Sequence, residues 1–167
     1  QRIRKKQLVV KMKLLKNNKC RMCDGKSFWD VIDLGTNSLV NSYLREEDLN
    51  KDELLFPLVV HQCKKCKLVQ ILNVIDPVEI YTKGNYLYFS TDVPGLPKYF
   101  EEYAIDVRER FLRKNDFVLE IASNDGILLS YLKKDMDILG VDAAPNAVLK
   151  ALKKGIPTFP ALFDERI

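Results

Sequence analysis

The sequence has no apolar run long enough to cross a bilayer. Its longest, Leu54 to Val60, has seven residues and contains Pro57, against the roughly 20 a spanning helix needs. A secretory signal is not expected either, because Lys11, Lys13 and Lys16 interrupt the early apolar positions and no small-residue cleavage site follows. No cysteine lies outside two short pairs, and there is a single histidine, His61. No G-x-G-x-x-G occurs, which disfavours a dinucleotide such as NAD. Acid is missing from the first 19 residues, which hold eight Lys or Arg.

What is present is an ordinary globular composition. With 47% hydrophobic and 30% charged residues, a largely disordered chain is not expected. The net charge of +4 over 167 residues belongs to the N-terminus: beyond residue 19, nineteen basic residues face 23 acidic ones, a net −4. Residues 1–17 therefore read as a basic extension on a slightly acidic body. The extension is either a phosphate contact or a solvated tail. Met12 would be a natural initiator, which would put residues 1–11 outside the native domain.

The four cysteines form two C-x-x-C pairs, Cys20/Cys23 and Cys63/Cys66. Two intervening residues let a tight turn aim both sulfurs at one ion, and two such turns make a closed tetrahedral Cys₄ site, the arrangement of structural zinc. Gly25 is free to take positive φ where the first turn doubles back. Four thiolates around Zn²⁺ leave a formal −2, which gives Arg21, Lys64, Lys65 and Lys67 a local electrostatic role without nucleic acid. Disulfides fit poorly with a Lys-rich chain lacking a secretory signal, which points to the cytoplasm. A redox pair would need only one C-x-x-C, in a strand-to-helix turn. Iron in a rubredoxin-like site stays open on spacing alone. His61, two residues before Cys63, reads as a strand residue rather than a ligand.

Strands are expected over Phe28–Leu34, Leu55–Val60 and Lys67–Leu72, with Gly35–Ser38 as a turn. Residues 18–75 thus make a small zinc-binding β domain that needs its metal as a staple. Residues 76–115 connect, carrying an aromatic cluster (Tyr81, Tyr86, Tyr88, Phe89) that suits packing or ligand contact equally. Within them lies an amphipathic helix whose apolar positions are Leu96, Tyr99, Phe100, Tyr103, Val107 and Phe111. From residue 116 to 167 the pattern alternates: strand 116–121, helix 127–134, strand 137–141, helix 146–154 ending at Gly155, then strand 156–159. That order reads as the first half of a Rossmann-type α/β sheet, and the fold class is α+β overall.

In such a sheet the ligand lies beyond the carboxyl ends of the strands. S-adenosylmethionine carries no diphosphate to cradle. It needs space beside the first turn and an acid at the end of the second strand for its ribose hydroxyls. Asp142 stands there, and Ser123, Asn124 and Asp125 line the turn, although Asn124 or Asp125 could equally be helix caps.

The ordered set Cys-x-x-Cys, Asp33-Leu34-Gly35, Cys63-x-x-Cys66-x-Leu68-x-Gln70, Tyr86-x-Tyr88-x-Ser90, Glu120-Ile121-Ala122-Ser123-Asn124-Asp125-Gly126 and Gly140-Val141-Asp142 resembles the zinc-containing, S-adenosylmethionine-dependent sugar C-methyltransferases. The resemblance runs from about residue 18 to the end. It implies zinc on Cys20, Cys23, Cys63 and Cys66, and S-adenosylmethionine held by Glu120, Ala122, Ser123, Asn124, Asp125, Gly126 and Asp142. It also implies a nucleotide-sugar substrate facing Tyr86, Tyr88 and Ser90. Position 122, usually glycine in that family, is alanine here. The family's catalytic Tyr and His residues come from later strands and a C-terminal domain, so no catalytic residue is assigned in this chain. The expectation is a fragment inactive alone, with neither nucleic acid nor membrane as partner. The rival expectation is a zinc ribbon binding nucleic acid or protein, whose binding would weaken steeply with salt.

Overall fold

The structure, a computed structural model, describes residues 14–41, 43–51, 53, 55–82, 86–165 and 167. Most of the basic extension, residues 1–13, lies outside the described residues. The chain divides into two compact units, residues 1–80 and 81–167. Residues 81–115, expected as a connection, therefore belong to the second unit.

In the first unit, β1 (Leu14–Lys16) pairs antiparallel with β5 (Asn73–Ile75). The end of the expected extension is thus a strand. Three further strands, β2 (Phe28–Asn37), β3 (Phe56–Cys63) and β4 (Val69–Ile71), form an antiparallel sheet in that order. The β-branched and aromatic residues of Phe28–Leu34 favour extension. The strand runs through the expected turn at Gly35, where φ is +72° and the register with β3 shifts between Asp33 and Thr36. A bulge on Gly accommodates the extra residue without ending the strand.

In the second unit, α1 (Leu96–Phe111) precedes a three-stranded parallel sheet of β6 (Phe117–Ile121), β7 (Asp137–Asp142) and β8 (Thr158–Pro160), with β7 in the middle. Helices α2 (Ile127–Leu132) and α3 (Pro145–Lys153) make the crossovers. Leu129, Ala151 and Ile156 are buried together, as are Ala104, Leu132 and Met136, and Val118 and Ile138 pack against both clusters. Alternation along the strands turns Phe117, Leu119, Ile121 and Phe159 to the opposite side, where all four are exposed.

The expected apolar stripe of α1 is only partly used. Ala104 is buried and Phe100 and Val107 are half-buried, but Tyr99, Tyr103 and Phe111 stay exposed. Besides the packing of Ala104 on Leu132, the helix is fixed to α2 by polar contacts. Arg108 Nη2 donates to Tyr131 O at 2.7 Å, and Tyr131 Oη donates to Pro97 O at 3.0 Å.

Two left-handed glycines bracket the core. At Gly126 (φ +75°) an added Cβ would lie 2.9 Å from Ile156 Cγ2, whereas at Gly155 (φ +71°) it would meet only Lys133 Nζ at 3.9 Å. Gly155→Ala should therefore cost backbone strain alone, about 1 kcal/mol. Gly126→Ala adds overpacking for a total of about 2–4 kcal/mol. Urea unfolding of the two variants checks the difference, and equal losses would refute the packing account.

Candidate functional site

The first unit brings its four cysteines together through two turns of matching geometry. In each, the residue four after the leading cysteine takes a left-handed conformation, Asp24 (φ +57°) and Lys67 (φ +66°). The N–H of that residue donates to the leading cysteine's carbonyl, Asp24 to Cys20 and Lys67 to Cys63, both at 3.0 Å. The leading N–H reaches the carbonyl five residues on, Cys20 to Gly25 at 2.8 Å and Cys63 to Leu68 at 2.9 Å. Positive φ thus falls on Asp24, not on Gly25 as expected. Gly25 is favoured for space: a Cβ there would stand 3.3 Å from the sulfurs of both Cys23 and Cys63.

The four Sγ atoms lie within 4.8 Å of one another, with Cys20–Cys66 at 3.5 Å and Cys23–Cys63 at 3.6 Å. Zn–S bonds of about 2.3 Å in a tetrahedron place sulfurs about 3.8 Å apart, so the set fits zinc. The protons on these thiols compete. For Cys20, burial raises the affinity for a proton, but the N–H groups of Met22 and Cys23 and the Gln70 amide outweigh it and bring the thiol down to about 6. Cys66 gains from the Leu68 N–H, yet burial and its three sulfur neighbours push it up to about 12. Four thiolates coexist here only around a cation. His61 stays apart, its Nδ1 2.8 Å from Asp30 Oδ1. Lys64 and Lys67 sit over the Trp29 ring at 5.6 and 4.3 Å.

In the second unit a cavity of about 420 Å³ opens at the carboxyl ends of β6 and β7. Of the residues singled out in the sequence, Tyr86, Tyr88, Ser90, Ala122, Asn124 and Asp142 line it. Tyr81, Ile121, Val141, Ala143 and the segment Ala161–Phe163 complete the wall. Tyr81 and Tyr86 meet edge to face at 5.5 Å.

The first turn explains its own sequence. Ala122 (φ +59°), Asn124 (φ +51°) and Gly126 are left-handed. Alanine at 122 costs about 1 kcal/mol there, a physical reason for glycine at that position. The turn's N–H groups are consumed internally: Ser123 to Val141 O at 3.2 Å, Asn124 to Asp142 Oδ2 at 2.7 Å, Asp125 to Asn124 Oδ1 at 2.8 Å and Gly126 to Ser123 O at 2.9 Å. Asp142 Oδ1 also accepts from Ala144 N at 2.8 Å. Each carboxylate oxygen can accept twice, so Asp142 keeps capacity for a diol.

Glu120, Ser123, Asp125 and Gly126 are not on the cavity wall. Ser123 is buried against Gly140, where a Cβ would meet its Oγ at 2.4 Å. Asp125 is fully buried and holds Lys154 Nζ at 2.9 Å and the Thr91 hydroxyl. Burial, then the neighbouring Asp142, push the Glu120 carboxyl up to about 7, against a hydrogen bond from the Leu129 N–H, with Asp125 adding to the rise. Asn146, Thr91 and Lys154 were not singled out in the sequence, yet Asn146 holds the aromatic segment while Thr91 and Lys154 hold Asp125. Asn146 donates to Tyr86 O, Asn124 Nδ2 to Tyr88 O at 3.0 Å, and Ser90 N to Asn124 Oδ1 at 3.1 Å. Their sequence neighbourhoods carry no motif that would have marked them.

Residues 20–81 match the family described as "Putative zinc binding domain", associated with methyltransferases. Over 152 residues, 90% of the chain, the sequence is 31% identical to the C-methyltransferase NovU of Streptomyces niveus. The chain spans about a third of that relative's length, 36%. A solved S-adenosylmethionine-dependent methyltransferase from Clostridium acetobutylicum superposes with a TM-score of 0.33 at 24% identity, covering 44% of this chain and 31% of the other. The chain is thus related to methyltransferases, with a zinc-binding domain at residues 20–81. Among the described residues, no helix is long and apolar enough to cross a membrane.

Two outcomes are expected. The purified chain should carry one zinc. Stripping it, or replacing Cys63 by Ser, should abolish the native spectrum of Trp29 in the first unit while the second unit's hydrogen-exchange protection persists. Retention of the Trp29 signal without metal would refute the staple. Glu120 should make stability fall as pH rises. Its raised value means the folded chain keeps a proton that the unfolded chain releases between 4.5 and about 7. The loss is up to about 3 kcal/mol and levels off above that window. In Glu120→Gln, unfolding measured across the window should lose this slope, and an unchanged slope would rule Glu120 out as its source.

Proposed function

We propose that this chain is the N-terminal zinc domain and first half of the Rossmann-type cofactor domain of an S-adenosylmethionine-dependent C-methyltransferase acting on a nucleotide-linked keto-deoxysugar. The observation that carries the reading is the cavity at the carboxyl ends of β6 and β7, where the Asp142 carboxylate faces a tyrosine-lined wall. The relationship to a C-methyltransferase supports the reaction class. The absence of unspent N–H groups in the 123–126 turn suits a ligand without a diphosphate at that point.

When bound, S-adenosylmethionine supplies an electrophilic methyl group to a carbon made acidic by a neighbouring carbonyl. Asp142 would hold it by accepting hydrogen bonds from the ribose hydroxyls. Ala122 and Ile121 form the apolar floor beside it, and Asn124 fixes the turn through its own backbone contacts. Tyr86, Tyr88 and Ser90, on the wall of the same cavity, would contact the nucleotide-sugar. Among the described residues no group is assigned as the general base, and the chain alone is expected to transfer no methyl group.

An NMR titration of the ¹⁵N-labelled chain with S-adenosylmethionine tests the reading. Perturbations should concentrate on Ala122, Asn124, Asp142–Ala144 and Tyr86–Ser90, saturating in the millimolar range and weakening in Asp142→Asn. No perturbation at those residues would overturn the cofactor assignment. Methyl transfer to a keto-sugar nucleotide by the chain alone would overturn its reading as an inactive part.

A further inference from the structure

Gln70 occupies the middle of β4, between Val69 and Ile71, which are exposed while Gln70 is buried at 8%. Strand alternation at an inward position calls for an aliphatic side chain. An amide there costs free energy unless its donors and acceptor are met. They are met, at the metal centre. Gln70 Nε2 donates to Cys20 Sγ at 3.2 Å. Its Oε1 accepts from Arg21 N at 3.3 Å and from Arg21 Nη1 at 3.4 Å. Arg21 Nη1 also donates to Ile71 O at 2.9 Å.

The amide is therefore fixed from both ends. Arg21 lies between the two cysteines of the first turn, so the contact orients Gln70 and locks that turn onto the strand that follows the second turn. With the carbonyl engaged by Arg21, the amide cannot flip, and an N–H is left facing the sulfur. Four thiolates on Zn²⁺ carry a net −2 within a few ångströms. A donor on one of them withdraws charge where solvent scarcely reaches, since Cys20 is 2% exposed.

We propose that Gln70 is a positioning residue for the zinc, holding Cys20 as a bound thiolate through an amide N–H···S hydrogen bond and thereby slowing loss of the metal. Arg21 supports this arrangement by holding the Gln70 carbonyl. Outer-shell partners of this kind are worth about 10- to 100-fold in metal retention.

The test uses the zinc-loaded full chain and reads the rate of zinc transfer to an excess chelator such as EDTA. Gln70→Leu removes the donor and the acceptor. Gln70→Glu keeps the shape and the acceptor for Arg21 but removes the donor. Both should lose zinc about 10- to 100-fold faster than the parent, while Arg21→Met, which loses the Nη1 contact but keeps the backbone N–H to Oε1, should fall between the parent and those variants. In the cobalt-loaded chain, both Gln70 variants should move the sulfur-to-cobalt charge-transfer band to lower energy, because an unbonded thiolate is the better electron donor. The tetrahedral d–d bands should keep their intensity, showing that four sulfurs still bind. If Gln70→Glu behaves as the parent and only Gln70→Leu fails, Gln70 is an anchor for Arg21 and the proposal is wrong. It is equally wrong if neither variant changes the transfer rate or the band. If the d–d intensity is lost in both, Gln70 is needed for folding rather than for tuning the sulfur, and that too overturns it.

Discussion

The first unit depends on one constraint: four cysteine sulfurs must share a single cation. Among its described residues, the buried hydrophobic set is Cys20, Phe56, Cys63 and Leu72. Half of that core is metal ligand. Trp29, Val31, Ile32, Leu34, Val69 and Ile71 remain exposed on the sheet, so apolar burial alone cannot offset the entropy of ordering so short a chain. The metal supplies the difference, and it does so through local geometry. Each turn reproduces the same left-handed residue and the same pair of backbone hydrogen bonds. The ligands are thus organised by sequence-local contacts, and the strands between them need only bring two prepared turns together.

The second unit follows a different logic, in which a carboxylate rather than a metal is the hub. Asp142 takes the Asn124 N–H from the preceding strand's turn and the Ala144 N–H from its own. It thereby couples the ends of β6 and β7. Asn124 in turn reaches the aromatic segment through both its carboxamide atoms. The cavity wall of Tyr86 and Tyr88 has no regular secondary structure of its own, so its position is set by these side-chain-to-backbone bonds. A loop fixed in this way can form a specific surface where an unanchored one would average over many.

Much of this was legible in the sequence, and the part that was not has a common cause. The C-x-x-C pairs could be read because ligand spacing is a local property. The strand and helix order beyond Asn115 could be read because hydrophobic period is local too. The role of Gly25 was misread because a turn's φ values and its steric clearance are separate demands, and only coordinates distinguish them. The exposure of Tyr99, Tyr103 and Phe111 on α1 was not legible because an apolar stripe says which residues share a face, not which face a neighbour covers. Residues such as Lys154 and Asn146 act across sequence separations of 29 and 60 residues, beyond any pattern within a single element.

The division between wall and support residues around the cavity follows from the same geometry. The Asp125 carboxyl is fully buried, and Lys154 and Thr91 meet one of its oxygens. A carboxylate so committed cannot also turn toward a ligand without leaving Lys154 unpaired. Ser123 is likewise committed, by the close approach of Gly140. The motif around the first turn therefore mixes two kinds of residue. Ala122, Asn124 and Asp142 face the cavity, while Ser123, Asp125 and Gly126 make the turn that lets them do so. A sequence motif records both kinds with equal weight, because losing the support displaces the wall as surely as losing the wall itself.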